Sequence, residues 1–267
     1  MGALTFTQKA PPPVRVDLSP LTPEKLAGLK ARDIEALALA GGREAIRVGD
    51  LFAVRRGDVE SVVVDGGSPL FDGIGAGMGG GTIRVGGDVG ARAGAGMRGG
   101  RLLVEGSAGP WAGAGMLDGR IEISGDVGER AGGALPGHMA GMAGGLLAIA
   151  GHAGPRCGDR MRRGLIVATT CGPEAGSRMI AGTILAGRLG PDPGVLMKRG
   201  TLIAAALDGE PLPTFVSCGE HDLQVLAMLA AWVGSLRLAV SPAVPRRVLR
   251  LQGDMAALGQ GEILLAA

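Results

Sequence analysis

Tyrosine is absent from these 267 residues, and the aromatic side chains amount to four Phe and two Trp. Binding of single-stranded nucleic acid by stacking bases on rings is excluded for want of platforms. A core filled by large rings is excluded for the same reason. Cysteine is scarce too: Cys157, Cys171 and Cys218 are an odd number with no CxxC pair. That rules out a disulfide framework or zinc ribbon and fits reduced thiols in a cytoplasmic chain. The three histidines, His138, His152 and His221, form no HxH or HxxxH pair and support neither a metal site nor a Ser/His/Asp arrangement. Neither sign of charge dominates, since 27 basic against 25 acidic residues leave a net +2. Strong affinity of the whole surface for polyanions is therefore not expected. No stretch qualifies as a signal peptide or membrane span; the longest uncharged one, Ala131 to Pro155, is broken by eight glycines.

What is abundant is glycine, 51 residues, within a chain that is 46% hydrophobic. The glycines are periodic. Aligned on Met78, Met97, Met116, Met142, Met161, Met179 and Met197, the chain repeats at spacings of 19, 19, 26, 19, 18 and 18. A glycine follows each methionine by three residues (Gly81 to Gly200), and a glycine precedes it by three in six of the seven, Met142 excepted. Ile or Leu stands at +5 in all seven, and Val, Ile or Ala at +7. Apolar residues two apart share one face of a strand. About 19 residues leave no room for a crossover helix. The expected fold is therefore all-β: a single-stranded, right-handed parallel β-helix whose methionine and aliphatic columns fill the interior. Seven windings at the spacing of paired strands give a column of roughly 34 Å.

Val62 with Val64, and Ile46 with Val48, are read as strands of two divergent windings that precede the first clear one. The extra residues before Met142, Gly132 to Met139, are uncharged and predict a projecting loop, a candidate partner contact. Thr22-Pro23-Glu24 predicts a helix start. Ser217 to Glu220 has the spacing of a capping box and would open a buried cap helix over Leu223 to Leu236. Short strands are expected around Arg247–Leu251 and Glu262–Leu265. The domain plan is a leader or cap over 1–43, the β-helix over 44–206, and a C-terminal cap or docking segment with one helix over 207–267.

Gly75-x-Gly77-x-x-Gly80 matches the dinucleotide fingerprint, as does Gly94-x-Gly96-x-x-Gly99. Both recur in register with the repeat and precede no helical pattern, so they are structural. No catalytic residue and no metal ligand is assigned. Six cations, Arg160, Arg162, Arg163, Arg178, Lys198 and Arg199, fall at −1, +1 and +2 of the last three methionine windings. Equivalent positions stack, so these predict a basic stripe able to hold an acidic partner or an anionic tail.

The phrase Gly75-Ala-Gly-Met-Gly-Gly-Gly-Thr-Ile-Arg-Val-Gly86 resembles the glycine-rich GXGXG repeat found in the large chain of glutamate synthase and in the C-subunit of formylmethanofuran dehydrogenase. Leu21-Thr-Pro-Glu-Lys-Leu26, Gly49-Asp-Leu-Phe-Ala-Val54 and the insert ending Gly137-His-Met-Ala-Gly-Met142 resemble the second family. Arginine outnumbers lysine 23 to 4, which fits a GC-rich bacterium and, within that family, the related formyltransferase/hydrolase complex of aerobic methylotrophs. The resemblance implies a non-catalytic scaffold that binds no cofactor of its own. Its implied partners are hydrolase-like, dehydrogenase-B-like and formyltransferase subunits, with neither nucleic acid nor membrane among them. Together these would move a formyl group between tetrahydromethanopterin and a methanofuran-type carrier and release formate. The carrier's polyglutamyl tail would suit the basic stripe. A glutamate-synthase-like module and a self-sufficient β-solenoid enzyme are the alternatives.

Overall fold

The computed structural model of the chain describes residues 2–42 and 46–267. The alternation after each methionine folds as a strand, and the strands join one large sheet. Its thirteen members are β1 (Ala3–Gln8), β2 (Phe52–Arg55), β3 (Asp58–Asp65), β4 (Thr82–Val85), β5 (Arg98–Val104), β6 (Asp118–Ile123), β7 (Ala143–Ala153), β8 (Arg163–Cys171), β9 (Thr183–Leu189), β10 (Arg199–Leu207), β11 (Val216–Asp222), β12 (Arg247–Gly253) and β13 (Gln260–Ala266). Their order across the sheet is β11-β12-β13-β10-β9-β8-β7-β6-β5-β4-β3-β1-β2. From β3 to β10, sheet neighbours are sequence neighbours and every pairing is parallel.

The register is that of the repeat. Val62 lies opposite Ile83, Ile83 opposite Leu102, and so on through Ile121, Leu147, Ile166, Ile184 and Leu202. All seven repeat methionines and all seven +5 residues are fully buried. Among the described residues no helix lies between Leu51 and Gln224. This mostly β, mostly parallel architecture is consistent with a solenoid. Each fully buried aliphatic or methionine side chain contributes about 1.5–3 kcal/mol relative to exposure, so the columns are the main source of cohesion. The corners pair as well: Gly113 N–H donates to Ala93 O at 2.8 Å and Gly132 N–H to Ala112 O at 2.7 Å, one winding back.

The irregular spacing before Met142 resolves at one residue. Elsewhere the methionine N–H reaches back three residues, as Met116 does to Gly113 O at 3.2 Å; Met142 instead donates to Gly132 O at 2.7 Å. Gly132 also has the left-handed φ of 65° typical of the other −3 glycines. It is therefore the missing −3 glycine; Gly133 and Ala134 keep the −2 and −1 hydrogen bonds of the other windings, to Arg130 O and Asp159 O, and residues 135–141 are looped out.

Both termini extend the sheet. β1 pairs in parallel with β3, Leu4 opposite Val62, and β13 pairs in parallel with β10, Leu202 opposite Ile263. Antiparallel strands then close each edge, β2 on β1 and β12 with β11 on β13. The strands expected near Arg247 and Glu262 are thus present, the second of them as a further parallel rung.

Three expectations are corrected. Ile46 and Val48 do not begin a winding: Ile46–Arg47 pairs antiparallel with Ala38–Leu39, and Val48 opens a short helix, Val48–Leu51. The winding next to β3 is made by β1, whose apolar Leu4 and Phe6 meet the Val62 and Val64 rows. Ser217–Glu220 is not a capping box, because it lies inside β11, and the helix Gln224–Ser235 starts after Leu223 with no side-chain cap. That helix is not buried either: only Leu226 and Val233 are, while Val225, Met228 and Trp232 are 63%, 73% and 49% exposed. By contrast, the helix expected at Thr22 is present as Pro23–Leu26, with Pro23 in its first turn. The expected domain boundary at 43/44 falls outside the described residues.

The helix Gln224–Ser235 covers the outer face of the late windings. At +6 the early strands carry Arg84, Leu103 and Glu122, but β7 to β10 carry Ala148, Val167, Leu185 and Ile203, all buried. These join Leu226 and Val233 in a second apolar cluster outside the column. Strands buried on both faces are apolar at consecutive positions, as these are.

Candidate functional site

The six cations of the expected stripe separate into two groups. Arg162, Arg163, Lys198 and Arg199 are exposed at the starts of β8 and β10. The winding between them presents Ile180 and Ala181 at the equivalent positions, so the four lie on alternate windings. Arg199 Nε donates to Gln260 Oε1 at 2.8 Å. None of the four has a carboxylate within 4 Å among the described residues.

Arg160 and Arg178 lie on the other side of the methionine corner, and both are engaged. Asp159, fully buried, accepts from Ser177 Oγ at 2.9 Å, Arg178 Nε at 3.0 Å and Arg130 Nη1 at 3.2 Å. Arg160 Nη1 donates to His138 O at 3.0 Å. Beside them Arg156 grips Glu174 with two nitrogens, at 2.8 and 3.3 Å. The Arg156 hydrogen bond holds the Glu174 carboxyl below the usual range, and Glu174 in turn raises the Arg156 guanidinium. Each tie spans one winding, so this ridge clamps consecutive windings where the backbone turns.

The ridge contains a column that the methionine alignment passed over. Five residues before each methionine, or two before Gly132, the backbone is left-handed: Gly73, Arg92, Trp111, Arg130, Arg156, Glu174 and Asp192. After Gly73 every member carries a side chain in a conformation that glycine adopts without strain. Extending the alignment upstream of the −3 glycine, with the insert placed after Gly132, would have exposed this run of Arg, Trp, Glu and Asp.

The same ridge fixes the insert. Ala134 N–H donates to Asp159 O at 3.1 Å and Gly141 N–H to Arg160 O at 2.9 Å. Residues 135–141 thus form a projection anchored at both ends, with Met139 74% exposed. Between the insert and the early corners lies a cleft of about 560 Å³, lined by Arg15, Arg92, Trp111, Leu135, Pro136 and His138 among others. A second recess of about 410 Å³ lies along the ridge at Arg156, Arg178, Leu196 and Leu212.

The histidines and cysteines do not converge on one site. His152 Nδ1 pairs with Thr170 Oγ1 at 2.9 Å, and His221 Nε2 lies 2.9 Å from Cys218 O. Cys157 and Cys171 are buried and Cys218 is exposed. The Cys171 contact and burial push the Cys157 thiol well up. Among the described residues no three His, Cys, Asp or Glu side chains gather as metal ligands.

No protein-family profile matches the chain. A curated relative does: the C-subunit of the formyltransferase/hydrolase complex Fhc of Methylorubrum extorquens is 56% identical over 255 residues, 96% of either chain. The chain belongs to the Fhc C-subunit family. The fold agrees. A chain in the crystal structure of the formyltransferase/hydrolase complex FhcABCD from Methylorubrum extorquens, in complex with methylofuran, matches this Fhc family member with a TM-score of 0.94. The match has 45% identity and covers 98% of this chain and 99% of that one. Among the described residues no helix is long and apolar enough to cross a membrane.

Proposed function

We propose that this chain is the C-subunit of a formyltransferase/hydrolase complex and that its task is to hold the other subunits in fixed relation. The observation that carries this is the end-to-end match, 56% identity over 96% of both chains. The complex would transfer a formyl group between tetrahydromethanopterin and a methanofuran-type carrier and release formate. In that assembly the chain is a non-catalytic part. Its ionic side chains support the assignment, because the ridge groups spend their hydrogen bonds on joining windings (Asp159 to Arg130 and Arg178, Glu174 to Arg156).

The architecture is a single-stranded parallel β-helix of the GXGXG type, one strand of the main sheet per winding. Right-handedness is the expected hand for parallel strands connected within one sheet. The leader over 1–43, the β-helix over 44–206 and the docking segment over 207–267 are its sequence divisions, with β1 of the leader and β13 of the docking segment each adding a parallel rung. Arg162, Arg163, Lys198 and Arg199, exposed and without carboxylate partners, suit the polyglutamyl tail of the carrier or an acidic partner surface.

Native purification from the source organism tests the main reading. Co-elution of hydrolase-like, dehydrogenase-B-like and formyltransferase chains, with turnover by the complex and none by the isolated chain, is expected. Co-elution with amidotransferase and flavin-containing chains, or turnover by the chain alone, would overturn it. For the stripe, R162E/R163E should weaken retention of the carrier; unchanged complex formation and carrier content would remove that assignment.

A further inference from the structure

The cleft beside the insert is built of unlike materials. Its walls are apolar, from the Trp111 ring, Pro110, Leu135 and Pro136, and its rim is cationic, from Arg15 and Arg92. Asp72, the carboxylate of the cleft, is already engaged. Its Oδ1 accepts from Arg15 Nη1 at 2.9 Å and from Ala91 N–H at 2.8 Å. The Arg15 side chain, which also donates to Pro69 O at 3.3 Å, is nonetheless 60% exposed. Arg92 has no carboxylate within 4 Å among the described residues, and its backbone φ is 62°. Trp111 follows one winding later with φ 61°, and its indole N–H is screened from solvent with no acceptor among the described residues. A cation with no counter-charge among the described residues and apolar walls lie together in about 560 Å³. That volume is within the range of formed ligand clefts.

We infer that this cleft seats an acidic segment of another subunit of the same complex, with a carboxylate at the Arg92 and Arg15 rim and an apolar neighbour against Trp111 and the proline rings. Charge complementarity argues for the acid. The exposed Met139 at the tip of the insert continues the apolar surface beyond the cleft, which favours an extended protein segment over a compact small molecule. Arginine and tryptophan are also the side chains that most often anchor protein interfaces. The inference rests on the reading of this chain as a subunit, but it concerns a different surface from the Arg162 to Arg199 stripe.

The test is made on the assembled complex with the full chain. Benzoylphenylalanine replaces Leu135, the complex is irradiated, and the cross-linked peptide is identified by mass spectrometry. A partner peptide carrying Asp or Glu next to an apolar residue is the expected product. In parallel, R92E should weaken association with the other subunits about tenfold or more at low ionic strength, and R92A less. The R92A assembly should also lose salt sensitivity, as the loss of a charge pair requires. Because Arg92 is exposed, neither variant should change the thermal midpoint of the isolated chain. Cross-links confined to this chain, or to a non-protein carboxylate, would overturn the inference while leaving subunit membership intact. So would R92E assembly indistinguishable from the parent. If the parent chain recruits no other subunit, membership itself fails and the cleft proposal with it.

Discussion

Two glycines in one winding separate the two reasons why this chain is so rich in glycine. Gly96 and Gly100 flank Met97, with φ of 64° and 76°. A methyl group on Gly96 would meet nothing within 4 Å, whereas one on Gly100 would lie 2.7 Å from Gly81 O and 2.8 Å from Gly80 C. G96A therefore carries only the cost of a left-handed side-chain residue, about 1–2 kcal/mol. The same position three windings later holds Arg160, with φ 56°, so a side chain there is accommodated. G100A carries that cost and an overlap with backbone, which has no rotamer by which to withdraw. Overpacking adds roughly 1–3 kcal/mol. The carbonyl it strikes also accepts the Arg101 N–H at 2.9 Å, a bond that joins consecutive windings. G100A should then cost about 2–5 kcal/mol, clearly more than G96A. Urea unfolding followed by far-ultraviolet circular dichroism measures both, provided the slopes match the parent. In thermal scans each kcal/mol corresponds to roughly 2–4 °C. If G100A proved as mild as G96A, close approach of stacked windings would not be what fixes glycine at +3.

Three further outcomes follow from the ridge and the thiols. D159N removes the charge that Arg130 and Arg178 share at 3.2 and 3.0 Å, and breaking such a pair should cost about 3 kcal/mol in denaturant unfolding; R130A, which leaves Arg178 and Ser177 on the carboxylate, should cost less. The Glu174 carboxyl is held low by Arg156, so its contribution is complete above the ordinary carboxylate value of 4.5 and fades as pH falls through its lower folded value. The gap in urea midpoint between parent and E174Q should therefore be widest near neutrality and close on acidification below about 4. Under native conditions a thiol reagent should label Cys218 alone, with Cys157 and Cys171 reacting only after unfolding; rapid labelling of all three in the folded chain would mean the interior is open.

The interior was legible because its signal is redundant. Seven methionines and seven aliphatic residues repeat one geometric role, and each is buried where the period puts it. The ends were less legible because they are made once. Nothing in Ala3–Gln8 marks it as the neighbour of Asp58–Asp65, since a rung contributed by a terminus has no period to announce it. Ser217–Glu220 illustrates a local signal overruled: the capping spacing is real, but pairing with Arg247–Gly253 makes the segment a strand. The stripe was only half legible. The offsets from methionine place these residues on successive windings without showing that the chain turns between −1 and +1. Arg178 stands at −1 and Arg162 at +1, and only the structure shows that the methionine corner divides them, one tied to Asp159 and the other open to solvent.

The two faces of the column account for the two halves of its sequence. In the early windings the outward +6 residues Arg84 and Glu122 form ion pairs with Glu105, Arg101 and Arg120, so that face is finished with charge. Burial would raise the Glu122 carboxyl, but hydrogen bonds from Arg120 and Arg101 outweigh it and hold it low. In the late windings the same position is apolar and the helix Gln224–Ser235 covers it. That helix is apolar on its far side as well, at Val225, Met228 and Trp232. A helix apolar all round belongs in an interior. The rest of the described chain leaves that outer stripe exposed.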